Sequence, residues 1–231
     1  MTRSPWLPRL LLGVGALAVL AAVVSLSIGE GGPEKVTISG GEQTQELIAG
    51  IPQDGPDLGP SDAAVTITVF NDLQCSTCDE YQLDTFDPLI EQYARSGEAR
   101  FEFRHLSLGQ AETTEAAYAA AAAGEQDREW QYLDLLFRNQ DEAPAGTVSD
   151  EFLTDIGNAV PEFDLDAWTT ARDSAQVKDE VEADATLAAE LGLRIIGPSV
   201  VVTGPGPGDP EVLQDSPSKE EIDAAVAAVG G

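Results

Sequence analysis

Residues 65–78 read VTITVFNDLQCSTC, in which a run typical of a β-strand leads directly into a pair of cysteines. β-Branched and aromatic residues fill its first six positions, and Asn71 and Asp72 then favour a turn. Cys75 and Cys78 are the two cysteines of the chain, and the segment after them has the apolar spacing of a helix. We therefore predict a strand, a Cys-x-x-Cys motif in a turn, and a helix that begins at the motif.

The helix predicted after the motif leads to a second strand. Its buried face has apolar residues at i, i+3, i+4 and i+7, which are Phe86, Leu89, Ile90 and Tyr93. Gly97 is placed to end the helix, and Pro88, which has no backbone donor, predicts a kink within it. Residues 100–106 then have the alternation of a strand, so this region predicts a β-α-β unit.

The rest of the chain is predicted to be helical at first and then to return to the sheet. Helical patterns occupy residues 116–123, 128–140, 150–159, 165–175 and 176–191. Strand patterns at 199–203 and 211–214 follow, and a capping box, Ser218-Lys219-Glu220-Glu221, starts a last helix. This order predicts an α/β fold, a thioredoxin-like sheet with an all-helical subdomain inserted at about residues 110–192.

The chemistry is expected to centre on Cys75 and Cys78. A disulfide enclosing two residues stabilises a folded chain little, so a purely structural bridge explains the pair poorly. At a helix start, unpaired amides and the helix dipole stabilise a Cys75 thiolate, and Cys78 lies one turn on, close enough to attack a mixed disulfide. A metal site with His105 is an alternative, but structural zinc sites typically need four Cys or His ligands. We expect His105 to be a partly buried side chain that ends the second strand.

The motif and its surroundings resemble the DsbA-like thiol–disulfide oxidoreductases. The similarity is carried by residues 58–66, LGPSDAAVT, and 70–78, FNDLQCSTC. It continues in order and spacing through residues 97–106, the alanine-rich helix and residues 129–140, and it extends over about residues 47–229. The resemblance implies a thioredoxin fold with inserted helices that exchanges disulfides with protein substrates.

The resemblance also implies roles for particular residues. Cys75 and Cys78 would be the redox pair, of which Cys75 forms the mixed disulfide. Pro198 would be a cis proline opposite the pair, and the backbone before it, at Gly197, would be exposed for pairing with a substrate peptide. The alternative for Pro198 is an ordinary trans proline at the start of a strand.

Three positions depart from the pattern of that family. Ser76 and Thr77, which we expect to help position the substrate, stand where the family often has proline and an aromatic residue or histidine. Val69 stands six residues before the first cysteine, where related proteins often carry a buried acid, so the proton acceptor for the second cysteine must be water or another group. Ile196-Gly197-Pro198 replaces the commoner Gly-Thr-Pro. These departures leave the direction of the reaction open.

The N-terminal segment is predicted to cross a membrane. Residues 10–28 are uncharged and, as a helix, would extend over roughly 28 Å at about 1.5 Å per residue, close to the thickness of a bilayer core. Arg3 and Arg9 precede this run, so the positive-inside rule places the rest of the chain outside the cytoplasm. Ser25-Leu26-Ser27 is an alternative cleavage signal that would release a secreted domain.

The chain is accordingly divided into three parts. Residues 1–28 are predicted to be a signal-anchor with one transmembrane helix. Residues 29–60 contain several Gly and Pro breaks and are predicted to be a flexible linker, apart from a short apolar stretch at 47–52 that could pair at the sheet edge. Residues 61–231 are predicted to form the thioredoxin-like domain.

Charge excludes several classes of partner. The chain has 12 Lys and Arg against 41 Asp and Glu, a net charge of −29. Such a protein repels phosphate backbones and anionic lipid headgroups, which argues against nucleic-acid binding and electrostatic membrane docking. Loss of residues 1–28 removes two arginines and no acid, and gives −31. We interpret the surface as an acidic shell suited to high salt and to basic or neutral client proteins.

These features predict a membrane-anchored, extracytoplasmic protein disulfide oxidoreductase without cofactor or metal. It is expected to pass its disulfide to exported proteins as an oxidant and to be recycled by an unidentified membrane redox partner. The acids Asp72, Asp79 and Glu80 near the motif predict a milder oxidant than a relative with histidine there. The alternatives are a membrane-tethered reductase or isomerase and, less favoured because no methionine follows Met1, a thiolate copper chaperone.

Overall fold

One mixed β-sheet forms the centre of the structure, a computed structural model that describes residues 37–75, 78–106, 111–142, 148–194, 197–206 and 208–230. Its strands are β1 (Gln53–Asp54), β2 (Asp57–Leu58), β3 (Val65–Asn71), β4 (Ala99–His105), β5 (Ser199–Thr203) and β6 (Glu211–Leu213). They follow the order β1-β2-β4-β3-β5-β6 across the sheet. β3 is parallel to β4 and antiparallel to β5, and antiparallel strands complete both edges.

The helices pack around this sheet. They are α1 (Gly41–Ile48), α2 (Cys78–Tyr81), π1 (Gln82–Phe86), α3 (Asp87–Leu89), π2 (Ile90–Ala94), α4 (Ala111–Gly124), α5 (Glu129–Arg138), a 3-10 turn (Gln140–Glu142), α6 (Asp150–Ala159), α7 (Leu165–Arg172), α8 (Ala175–Glu190) and α9 (Lys219–Val229). We call the continuous run from α2 to π2 the CXXC helix. Helices α4 to α8 lie between β4 and β5, where the inserted subdomain is predicted. The predicted thioredoxin-like α/β fold with its helical content is confirmed.

The central strands meet at one end of the sheet, where β3 and β4 finish and β5 begins. β3 is buried along nearly all its length, as expected of a strand with structure on both faces, and β4 is buried at every second residue from Ala99 to His105. Asn71, the last residue of β3, pairs in register with His105, and Phe70 pairs with Ser199, the first residue of β5. The loop that carries the Cys-x-x-Cys motif leaves the sheet at this end.

The CXXC helix departs from α-helical geometry on both sides of Pro88. The amide of Asp87 donates to the carbonyl of Gln82, five residues earlier, and the amide of Arg95 donates to Ile90 in the same way, at 3.1 Å. Proline has no amide hydrogen and its ring crowds the preceding turn, so wider π-turns are one way to continue a helix past it. The kink predicted at Pro88 therefore corresponds to an irregular region of the helix, with one π-helical segment on each side of the proline.

The inserted subdomain is built on close packing around small side chains. Seven alanines of α4 are buried, namely Ala116, Ala117 and Ala119 to Ala123. The indole of Trp168 on α7 lies against this helix and donates from Nε1 to the carbonyl of Ala119 at 2.7 Å. A side chain of methyl size lets neighbouring helices approach closely, which explains why an alanine-rich helix lies in the core.

The linker prediction is wrong for the described residues from 41 to 58. They form α1 and the β1-β2 hairpin, and Leu47 and Ile48 are buried in the main core. The guanidinium of Arg95 donates to the carbonyls of Glu46 and Leu47 at 2.8 and 2.6 Å, and thereby caps the end of α1. Gly and Pro breaks were typical of a linker, but hydrophobic burial and this distant cap stabilise short elements between them.

The predicted membrane span, residues 10–28, and the alternative cleavage signal lie outside the described residues. In the part of the chain that the structure describes, no helix combines the length and apolar character needed to cross a membrane. The anchor stays a prediction from the sequence.

Candidate active site

The Cys-x-x-Cys loop begins directly after β3. Cys75 is disulfide-bonded and half-buried, and it packs against the main hydrophobic core. The backbone of Cys78 starts α2, so the motif leads into the N-terminus of the CXXC helix, as the sequence predicts. Ser76 and Thr77 lie outside the described residues. The site therefore has a bonded cysteine placed between a strand end and a helix start.

Hydrogen bonds hold the loop before Cys75 in a compact turn. A side-chain oxygen of Asp72 accepts from the amide of Gln74 at 2.8 Å, an arrangement typical of an Asx turn. The amide of Cys75 donates to the carbonyl of Asp72 at 3.4 Å. From the inserted subdomain, the carboxamide of Gln140 donates to the carbonyl of Leu73 at 2.8 Å. The loop is thus fixed both by its own residues and by a distant side chain.

The electrostatics at the start of the CXXC helix act in two directions. Amides at a helix N-terminus and the helix dipole stabilise an anion, which favours a thiolate at Cys75. Asp79 and Glu80 occupy the first turn of the helix, where their charges disfavour a further negative charge nearby. The site can therefore support a reactive thiolate, but its stabilisation is offset in part by these acids.

Val69 leaves the strand position six residues before Cys75 apolar. It is fully buried and pairs in register with Phe103 and Val200. A carboxylate there would lack a polar partner on either neighbouring strand. The proton acceptor for the second cysteine must therefore lie elsewhere, as the sequence predicts.

His105 differs from the sequence-based expectation of a partly buried side chain. It is 1% exposed, and its Nε2 lies 2.8 Å from an Oε1 of the equally buried Glu129 at the start of α5. Burial disfavours a charged imidazole, but the hydrogen bond and charge of Glu129 outweigh it and raise the pKa of His105 above its ordinary value. Among the described residues, no group of three or more metal-ligating side chains is found. His105 thus belongs to a buried polar pair between sheet and subdomain.

Pro198 lies at the same end of the sheet, but as a trans proline. It directly precedes β5, and the pairing of Phe70 with Ser199 brings it alongside the end of β3. The peptide bonds among the described residues are all trans, so the expectation of a cis bond after Gly197 is wrong. The trans form of an X-Pro bond is favoured by about 0.5–1 kcal/mol, and here the carbonyl of Pro198 accepts from the amide of Ser216 at 2.9 Å.

Gly197 is held close to the turn after β6. A β-carbon at this position would lie 2.8 Å from the hydroxyl oxygen of Ser216, closer than real side chains allow. Glycine therefore permits the close approach of the two segments. The structure brings Gly197 and Pro198 to the end of the sheet from which the Cys75 loop leaves.

Sequence reasoning did not identify Gln140, Glu129 or Asn71 as parts of this region. Asn71 is fully buried at the end of β3, and its side-chain nitrogen and oxygen have no hydrogen-bond partner among the described residues. Polar residues at the end of a buried strand are a usable signal for such positions. The contacts of Gln140 and Glu129 join residues 67 and 24 positions apart, and no local pattern predicts them.

Comparisons with known proteins agree with this geometry. A family model described as Thioredoxin matches residues 53–206. The chain is 23% identical over 157 residues to disulfide bond formation protein D of Bacillus subtilis (strain 168), a match that covers 66% of this chain and 71% of that protein.

Solved structures show the same fold. Wolbachia pipientis alpha-DsbA1 matches with a TM-score of 0.64 and 19% identity, over 80% of this chain and 95% of that chain. Oxidised BdbD of Bacillus subtilis matches with a TM-score of 0.62 and 20% identity, over 79% and 97%. At such identities the likeness shows the arrangement of the elements and does not assign roles to residues of the site.

Proposed function

Since the chain belongs to the thioredoxin family, we propose that it is a DsbA-like thiol–disulfide oxidoreductase that donates a Cys75–Cys78 disulfide to exported proteins, as its similarity to disulfide bond formation protein D supports. The observation that carries the proposal is the disulfide-bonded Cys75 between the end of β3 and the start of the CXXC helix. Cys78 is the other cysteine of the sequence, which makes it the partner in the proposed disulfide.

The proposed reaction is a two-step thiol exchange. A substrate thiolate attacks the sulfur of Cys75, the Cys75–Cys78 bond breaks, and the departing Cys78 thiolate takes up a proton. A second substrate thiolate then attacks the substrate sulfur of the mixed disulfide, and Cys75 leaves as a thiolate. In total, two electrons and one proton pass from the substrate dithiol to the enzyme, the second proton of the dithiol goes to solvent, and the substrate gains one disulfide.

The surrounding residues have defined roles in this proposal. Amides at the start of the CXXC helix stabilise the leaving Cys75 thiolate, which makes the oxidised enzyme a better electron acceptor. Gly197 and Pro198, together with Ser76 and Thr77, position the substrate chain beside the disulfide. Gly197 and Pro198 lie at the end of the sheet from which the Cys75 loop leaves, which supports this role for them without a cis peptide bond.

A reductase or isomerase is the second candidate, and one observation favours it. Asp79 and Glu80 in the first turn oppose a thiolate at Cys75, which lowers the tendency of the disulfide to accept electrons. In that case Cys75 attacks a substrate disulfide and Cys78 resolves the mixed disulfide. The redox potential of the pair separates the two candidates, since an oxidant has the less negative value.

We further propose that the domain works outside the cytoplasm, anchored by residues 10–28 and recycled by a membrane redox partner. The uncharged run and the two arginines before it support this orientation. Protease added to intact cells should digest the domain while the membrane remains closed. Protection of the whole chain until lysis would contradict the orientation.

Substitution of each cysteine tests the proposed chemistry. We expect Cys75→Ser to form disulfides in a reduced model protein more slowly than the oxidised wild-type protein by at least about 100-fold, because the variant has no disulfide to donate. Cys78→Ser should accumulate a mixed disulfide at Cys75 when it is mixed with oxidised glutathione, because the thiol that would resolve this bond is absent. Brief alkylation of the reduced wild-type protein followed by peptide mapping identifies the more reactive thiol. Preferential labelling of Cys78 would reverse the assignment, and an inactive wild-type protein would refute the function.

A further inference from the structure

A buried hydrogen bond joins the inserted subdomain to the redox loop. Nε2 of Gln140, in the 3-10 turn after α5, donates to the carbonyl of Leu73 at 2.8 Å. Gln140 is 8% exposed and Leu73 is 2% exposed, so water does not compete freely for either group. The bond connects residues 67 positions apart and reaches the loop two residues before Cys75.

The chemistry of the two groups fixes how the carboxamide is oriented. A backbone carbonyl only accepts hydrogen bonds, so the amino group of Gln140 must face Leu73. The amide oxygen then points away from Leu73, and it is buried without a hydrogen-bond partner among the described residues. Burial of a polar atom without a partner destabilises a folded protein, and such an atom calls for an explanation. A hydrophobic residue of the same size would avoid this cost.

We propose that Gln140 is a positioning residue for the redox centre, because its carboxamide holds the Leu73 carbonyl and thereby fixes the loop that carries Cys75. This inference rests on the proposed function. The Asp72 turn fixes the loop from within, and Gln140 fixes it from the subdomain.

The same bond affects the charge that develops at Cys75. The oxygen of a carbonyl bears partial negative charge, and a donor bound to it reduces its repulsion of a nearby anion. Without Gln140, the buried oxygen of Leu73 loses its donor and the loop is less firmly held. Both changes disfavour the Cys75 thiolate, and a less stable reduced form makes the disulfide a weaker oxidant.

A pair of matched variants separates this role from a general contribution to packing. Gln140→Met keeps the length of the side chain and removes its donor. Gln131→Met makes the same substitution at a position that is also 8% exposed, on α5, where the side chain borders a cavity lined by Ile48 and Pro161. Both variants remove a buried carboxamide from the same region of the chain.

The readouts are the equilibrium of the disulfide with glutathione and the pH dependence of Cys75 alkylation. For Gln140→Met we expect an equilibrium constant for reduction lower by about threefold or more, and an alkylation midpoint shifted to higher pH. Gln131→Met should match the wild-type protein in both. If Gln140→Met loses thermal stability but keeps the wild-type equilibrium and alkylation profile, the role is structural and the proposal is wrong.

A second variant keeps the test decisive if Gln140→Met does not fold. In Gln140→Glu, a protonated carboxyl group can donate to Leu73 but an ionised one cannot. The deficit in oxidising strength relative to the wild-type protein should therefore grow as pH rises, and a deficit that is absent at every pH overturns the proposal. A wild-type protein that does not exchange with glutathione would instead refute the proposed function, so the two failures are distinguishable.

Discussion

At the scale of single residues, a partly buried polar network joins the CXXC helix to the subdomain and to α1. Arg138 donates to Asp87 on the CXXC helix at 2.6 Å and to Asp134 at 2.7 Å. The hydroxyl of Thr44 on α1 donates to the same oxygen of Asp134 at 2.6 Å. Three elements that are distant in sequence are thus joined through Arg138 and Asp134. Because two carboxylates compete for Arg138, one of them is poorly compensated.

Asp87 is the poorly compensated carboxylate. Burial and the charge of Asp134 raise its pKa from 3.8 to about 7, although Arg138 acts in the opposite direction. Between these two values the folded protein holds a proton that the unfolded chain has released. Rising pH through this window therefore lowers stability, and the loss is complete above about 7.

Asp87→Asn should remove this part of the pH dependence. The amide oxygen still accepts from Arg138, and the variant has no proton to lose at this position. We expect its free energy of unfolding, relative to the wild-type protein, to increase as pH rises from about 4 to about 7 and to level off beyond. Urea unfolding across this range measures the difference. The control is Asp179→Asn, at an exposed position of the helix α8, and a difference for Asp87→Asn that is the same at every pH would contradict the assignment.

At the scale of elements, local pattern predicted those parts whose sequence repeats with their own period. The alternation in β3, the helix after Cys78 and the capping box at Ser218 are all found where the sequence places them. The helix α1 was missed because two of its eight residues are apolar, Leu47 and Ile48, and glycines occur at its start and shortly after its end. Its stability comes from the burial of Leu47 and Ile48 and from Arg95, which lies 49 residues after Glu46 and outside any local window.

Contacts between distant parts of the chain also explain why the partner of His105 and the conformation of Pro198 were not predicted. The sequence identified Cys75 because the motif, the strand and the helix are contiguous. It could not identify the partner of His105, since the pairing with Glu129 depends on how the subdomain folds back onto the sheet. For Pro198, a family pattern suggested a cis bond, but the conformation depends on contacts such as that with Ser216.

The alanine-rich helix α4 offers a prediction at this scale. Ala120 is fully buried among neighbouring helices, so a larger side chain has no space there. We expect Ala120→Leu to lower the free energy of unfolding by about 1–3 kcal/mol through overpacking. Ala185→Leu, at an exposed position of the helix α8, is the control and should change it by about 0.5 kcal/mol or less. Denaturant unfolding compares them, and equal effects would contradict the close packing of α4.

At the scale of the whole molecule, the excess of acidic residues is not neutralised by the cations present. Most of the described basic side chains already form ion pairs with carboxylates, and these are Arg95, Arg100, Arg104, Arg128, Arg138, Arg172, Arg194 and Lys219. With 41 acidic residues in the chain, many carboxylates remain without a cationic partner. Exposed pairs contribute little to stability, so the repulsion among the remaining carboxylates dominates the net electrostatic effect.

This repulsion predicts that the folded domain is more stable in salt. The Debye length falls from about 30 Å at about 10 mM salt to less than about 10 Å at about 300 mM, so repulsion across the surface is largely screened at the higher concentration. We expect the free energy of unfolding to rise over this range of NaCl and then to change more slowly, whereas an uncharged osmolyte should not give this early rise.

Neutralising surface charge should weaken the salt response. Asp179 and Glu182 lie exposed, three residues apart on α8. We expect the double variant Asp179→Asn, Glu182→Gln to gain stability at low salt and to show a smaller increase with NaCl, because two mutually repelling charges are gone. An unfolding free energy that is equal at low and high NaCl in the wild-type protein would show that the acidic shell imposes no such cost. Salt adaptation would then need a different explanation from charge screening.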